Sequence, residues 1–245
     1  MPKYNLGFIE DEKIFNHVRS IVSKYRFSIN LKEFNKNLID PIKLTFDSKV
    51  YSKKLEDIIE SEILRQIDKS NNNHIGYFHQ NIFKYINKDW SVPKQGFDII
   101  NEKLSIFVEL KNKHNTMNSS SAQKTFMRMQ NILLKNSQAQ CFLVEVIAKK
   151  SQNEAWKVSL DGNLVSDNRI RKVSIDKFYE LVTGDKLAFQ KLCKSLPTII
   201  DDVLKETKST QSLNTVVNEF KEISSNLEKS IYLLAFNKYE GFGDF

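Results

Sequence analysis

Cysteine and histidine are scarce in this chain of 245 residues, with two of the first and four of the second. Cys141 and Cys193 both lie in apolar stretches and read as buried thiols. A disulfide framework and a zinc pattern are therefore both missing. His74 and His79 stand five residues apart, a poor spacing for two ligands on one helical face. No signal peptide and no apolar run long enough to cross a bilayer is evident, so a cytoplasmic protein with no membrane association is expected. No internal repeat is present either.

What the chain does contain is ordinary for a soluble globular protein: 40% hydrophobic and 27% charged residues. Its length suits one large domain or two small ones. The net charge of +7 and a pI near 9.2 suit a polyanionic partner. Abundant Lys, Asn and Ile also follow from AT-rich coding, so charge alone admits nucleic acid without requiring it.

The most informative stretch is Gly96 to Lys113, GFDIINEKLSIFVELKNK. Phe97 to Ile100 and Leu104 to Leu110 read as two strands joined at Asn101-Glu102-Lys103, a hairpin. Along the second strand Phe107, Glu109 and Lys111 face one way and Ile106, Val108 and Leu110 the other. A two-residue turn at Glu102-Lys103 places Asp98 opposite Phe107 and diagonal to Glu109, within side-chain reach; another turn length shifts that register. Two carboxylates at short range raise each other's pKa. A hard divalent ion such as Mg²⁺ relieves that repulsion and prefers oxygen ligands. Lys111 is then placed to orient a water or offset charge growing on a phosphate. The competing reading is a surface hairpin carrying ordinary charges.

Helical spacing runs from Leu6 to Tyr25, ends before Asp40-Pro41, and resumes over Leu55 to Ile67. Asn71-Asn72-Asn73 reads as a loop before an amphipathic helix through Ile75, Phe78, Ile82 and Ile86. Gly96 opens the hairpin where backbone freedom or close approach is needed. Ser119-Ser120-Ser121 offers helix N-caps, and Ala122, Phe126, Met129 and Leu133 line the buried face of the helix that follows. Cys141 to Ala148 reads as a buried central strand, completing a βαβ pattern. Trp156 to Leu160 alternates before the Asp161-Gly162 turn, and Ile170 to Val173 adds an edge strand. From Ser174 the chain is helical: one helix broken at Thr183-Gly184-Asp185, a continuation to Pro197, then Thr198 to Glu206 and Asn214 to Phe236. A polar 209–212 stretch separates the last two, and a loose tail ends the chain.

The segment after Lys111 is strongly polar, and Asn112, Lys113, His114, Asn115, Asn118, Ser119 and Ser120 are suited to contact phosphates or bases. Gln123, Lys124 and Arg128 on the next helix join them, since Arg and Gln suit bidentate contacts to base edges.

Asp98 followed by Glu109-Leu110-Lys111 resembles the PD-(D/E)XK nuclease signature, with Phe97 in place of the usual proline. FVELKNKHNTMNSSSAQKTF, Phe107 to Phe126, more specifically resembles type II restriction endonucleases that cut GGNCC- or GGWCC-like sites. Weaker likeness continues through Ile75 to Phe83 and Val182 to Pro197. The resemblance implies an α/β fold: a restriction-endonuclease-like mixed β-sheet core flanked by helices, with helical N- and C-terminal regions. It implies one nuclease domain over residues 1–245, with a helical 1–70, a catalytic core at 71–173 and a helical 174–245. It implies Mg²⁺-dependent double-strand cleavage of double-stranded DNA by a homodimer. Asp98, Glu109 and Lys111 would be catalytic, and Asp98, Glu109 and the Leu110 backbone carbonyl would hold the metal. Glu62 is a further candidate ligand on the upstream helix. The alternatives are another PD-(D/E)XK nuclease acting in repair, or a non-catalytic DNA-binding protein of the same fold.

Overall fold

A computed structural model of the chain describes residues 3–206 and 213–237. The polar 209–212 stretch and the tail read from the sequence lie outside the described residues. In chain order the elements are α1 (Asp11–Val22), α2 (Leu31–Phe34), a 3₁₀ turn (Asn35–Asn37), α3 (Pro41–Val50), α4 (Leu55–Asn81), α5 (Phe83–Ile86), β1 (Ile99–Asn101), β2 (Ile106–Lys113), α6 (Ser119–Lys135) and β3 (Gln140–Ile147). Then come β4 (Asn153–Ala155), β5 (Val158–Leu160), β6 (Asn163–Val165), β7 (Ile170–Ser174), α7 (Ile175–Thr183), α8 (Ala188–Glu206), α9 (Val216–Ile223) and α10 (Leu227–Phe236). Contacts divide the chain into two compact units, Met1–Ser23 with Ile75–Thr207 and Lys24–His74 with Lys208–Phe245.

The first unit is mixed α/β. Its five-stranded sheet has the order β1-β2-β3-β7-β4. β2, β3 and β7 run parallel, and β1 and β4 close the edges antiparallel. Neighbouring residues of β3 face opposite sides of the sheet. Cys141 and Leu143 pack with Phe126, Met129 and Leu133 of α6, while the Phe142 ring meets Phe178 of α7 at 6.4 Å. The sheet is thus covered on one face by α6 and on the other by α7. Both faces of β3 being covered explains its near-continuous apolar sequence. β7 is an interior strand, not the edge strand expected, because β4 pairs along its outer side.

Local chemistry starts and stops several elements. Asn118, one residue ahead of the serines expected to cap α6, accepts the Ser121 N–H at 2.8 Å. Gly184 ends α7 in the left-handed region at φ +74°. Asp161 and Gly162, both at positive φ, turn β5 into β6 as a two-residue hairpin loop. Two expectations are corrected. Asn71-Asn72-Asn73 is helix, not loop. Asn71 exchanges bonds with the Arg26 backbone at 2.9 and 3.1 Å and Asn72 donates to Asp68 at 2.8 Å, which outweighs weak helix propensity. Likewise α8 runs through Pro197 as one helix. Leu192 before the proline and Ile199 and Val203 after it are buried, and that burial offsets the roughly 3 kcal/mol an interior proline costs.

The second unit is helical. Phe34, Ile59, Ile63, Val216, Phe220 and Ile231 form its core, with the Phe34 and Phe220 rings edge to face at 5.8 Å. Asp40 caps α3 by accepting the Lys43 N–H at 3.0 Å, ahead of Pro41 in the first turn. The boundary between the units falls inside α4, between His74 and Ile75. Among the described residues no helix is long and apolar enough to cross a membrane.

Candidate active site

The hairpin forms, with a longer connection than a two-residue turn. Asn101 pairs with Ile106 and Ile100 with Phe107, leaving Glu102 to Ser105 as the loop. Ser105 is bent to φ +53° and donates its N–H to the Glu102 carbonyl at 3.1 Å. This register corrects the expected placement of Asp98 opposite Phe107. Asp98 precedes β1, donates its N–H to the Val108 carbonyl at 2.9 Å and accepts the Leu110 N–H on Oδ2 at 2.8 Å. Two residues beyond Val108, Leu110 turns its N–H and carbonyl to the same side of the strand. The Leu110 carbonyl therefore points to the side occupied by Asp98.

Glu109 is 9% exposed and engaged at both oxygens. Lys111 Nζ donates to Oε1 at 2.7 Å, and Arg128 Nη2 pairs with Oε2. Arg128 reaches down from α6, stacks its guanidinium over the Phe97 ring at 4.5 Å and donates from Nη1 to the Gly96 carbonyl at 3.2 Å. Gly96 itself sits at φ +97°, where a side chain would be strained. Burial pushes the Asp98 carboxyl above its usual range; the Leu110 N–H opposes this, the Glu109 charge adds to it, and Lys111 and Arg128 oppose it. The Asp98 and Glu109 carboxylates and the Leu110 carbonyl are hard, oxygen-only donors.

Such a set fits Mg²⁺, which is typically held by one or two carboxylates and completes its shell with water and substrate phosphate. Among the described residues no cluster of three or more His, Cys, Asp or Glu side chains forms.

The sequence model of the Eco47II restriction endonuclease family matches residues 6–205. The chain belongs to the Eco47II restriction endonuclease family. It is 31% identical over 240 residues to the type II restriction enzyme Sau96I of Staphylococcus aureus, with 92% of each chain covered. It is 30% identical over 222 residues to the type II restriction enzyme Eco47II of Escherichia coli, covering 85% of this chain and 92% of that one.

In this Eco47II-family chain the other expected site residues scatter over four settings. Asn112 is half-buried beside Gly76 of α4, its amide atoms 3.7 and 3.8 Å from where a Cβ would stand. Lys113, His114, Asn115, Asn118, Ser119, Ser120 and Lys124 are exposed on the end of β2, the following turn and the start of α6. Gln123 is turned away from them, donating to the Ser159 carbonyl of β5 at 2.7 Å. Glu62 lies in the helical unit, where Arg65 donates to both its oxygens at 2.6 Å and Gln66 to one at 3.0 Å. Burial raises the Glu62 carboxyl, and those hydrogen bonds together with the Arg65 and Lys43 charges outweigh it and hold the group below its usual range.

One residue near the cluster, and one pairing within it, escape sequence reasoning. Glu145 on β3 is the register partner of Lys111, is 3% exposed and bonds Lys172 of β7 at 2.8 Å. The one available signal was a lone glutamate inside the apolar run CFLVEVIA, since a buried charge needs a partner. The pairing of Arg128 with Glu109 had no signal, because it depends on how α6 packs.

Proposed function

We propose that this chain is a type II restriction endonuclease that cuts both strands of double-stranded DNA at a GGNCC- or GGWCC-like site, using Mg²⁺ and acting as a homodimer in the cytoplasm. The observation that carries the reading is Asp98 bonded to the Leu110 backbone next to Glu109, with Lys111 on that glutamate, in a chain of the Eco47II family. The names of the two relatives support the reaction class. The five-stranded mixed sheet is read as a restriction-endonuclease-like core, with residues 71–173 catalytic and the 1–70 and 174–245 regions part of the same nuclease.

Asp98, Glu109 and the Leu110 carbonyl are the oxygens that would hold Mg²⁺. When bound, the metal supplies Lewis-acid polarisation of the phosphate. Lys111 orients the attacking water in line with the leaving 3′ oxygen and offsets charge on the phosphate. Asn112, the exposed Lys113, His114, Asn115, Asn118, Ser119 and Ser120, and Lys124 contact DNA. Two chains related by a two-fold axis would match a palindromic site, one centre per strand.

The test is incubation of the purified chain with unmethylated plasmid and Mg²⁺. Discrete fragments with 5′ phosphates are expected, lost in Asp98→Asn, Glu109→Gln and Lys111→Ala. Undiminished cutting in excess EDTA, or cutting by folded variants at the parental rate, would overturn the reading.

A further inference from the structure

We propose that Glu145 is a positioning residue for Lys111: it receives the lysine when Glu109 is drawn to the metal. The inference rests on the reading of Glu109 as a metal ligand. As the structure stands, Lys111 spends its bond on Glu109 Oε1. A metal ion on that carboxylate competes for the same lone pairs and repels the ammonium. Lys111 then needs another anion, or it drifts from the scissile phosphate.

Sheet geometry provides one. Lys111 and Glu145 are directly paired across parallel β2 and β3, so their side chains rise from the same face. Glu145 is 3% exposed, and its Oε2 is buried with no hydrogen-bond partner, although nearly all buried polar atoms in proteins have one. Its Oε1 is held by Lys172 at 2.8 Å, and Lys172 sits two residues before Ser174, the β7 register partner of Glu145. Lys172 thus anchors one oxygen and leaves the other open beside Lys111. The row Arg128, Glu109, Lys111, Glu145, Lys172 alternates in sign. The only neighbours in it that do not touch are Lys111 and Glu145.

The experiment removes the competing carboxylate without metal. In a crystal structure of Glu109→Met grown in EDTA, Lys111 Nζ should lie roughly 2.7–2.9 Å from Glu145 Oε2, the span of a charge-assisted hydrogen bond. A Lys111 directed to solvent there would overturn the proposal, whether or not the wild type cuts DNA. Should Glu109→Met fail to fold, Glu145→Gln decides by single-turnover cleavage of bound plasmid in Mg²⁺. Its cleavage step should slow roughly tenfold, the scale of one lost charge-assisted bond, with DNA affinity kept within about twofold. Glu145→Asp should recover part of the rate. A Glu145→Gln protein that is less stable but cleaves at the parental rate would reduce Glu145 to a structural role and overturn the proposal. Failure of the wild type itself to cut would instead bring down the nuclease reading.

Discussion

At the scale of single residues, the cluster around Glu109 is organised by charge compensation. Arg128 carries a role that its place on a polar helix face did not suggest: it neutralises Glu109 and sits over the Phe97 ring. Lysine lacks the planar fork and the stacking surface. Arg128→Lys should therefore slow cleavage about tenfold or more while leaving the set of plasmid fragments unchanged. New fragments would mean that Arg128 reads bases after all. Asp98 gives a second prediction. Burial raises its folded-state pKa, so stability is greatest below the unfolded value near 3.9 and is lost as pH rises through the folded value. Asp98→Asn removes that loss and keeps an acceptor for the Leu110 N–H. In EDTA at pH 7 it should melt at a higher temperature than the parent, with the advantage vanishing toward pH 4. Equal melting temperatures at both pH values would show that Asp98 ionises in the folded chain without strain.

At the scale of elements, α6 is the arm that carries Arg128 to β2, and its seat is Phe126. That ring is fully buried and meets Trp156 edge to face at 5.6 Å. Phe126→Ala should cost about 3–5 kcal/mol in urea unfolding and loosen the guanidinium from Glu109. A loss under 1 kcal/mol would show that α6 is held elsewhere. The end of α4 gives a pH-dependent case. Burial, then the nearby His17 charge, pushes the His79 imidazole down to about 4. A depressed folded pKa means stability is intact above the unfolded value of about 6.5 and falls as pH drops through about 4. His79→Phe should flatten that part of the stability curve measured by urea titrations between pH 7 and 4; an unchanged slope would assign the acid loss to other groups.

At the scale of the whole molecule, the net charge of +7 bears on DNA through counterion release, which makes affinity fall steeply with salt. Fluorescence anisotropy with a short duplex in Ca²⁺ should lose about tenfold or more in affinity between 50 and 200 mM salt. Lys113→Ala and Lys124→Ala should each reduce the logarithmic salt slope by about 1. A flat salt response would argue against a phosphate-binding surface.

The alternation of Ile106 to Lys111 by itself determined that Glu109 and Lys111 share a face, because strand periodicity is local. The apolar run at 141–148, the turn at Asp161-Gly162 and the break at Gly184 were likewise legible, since each depends on neighbours in the chain. The hairpin register was not legible: it turned on whether the loop had two residues or four, and both suit the same sequence. Nor was the helix through Asn71, which draws its stability from the Arg26 backbone 45 residues away. Only the tertiary structure decided that Arg128 meets Glu109 and that Glu145 stands beside Lys111. Those contacts depend on how a helix packs on a sheet and on which strands become neighbours, and both are set by burying the whole core at once.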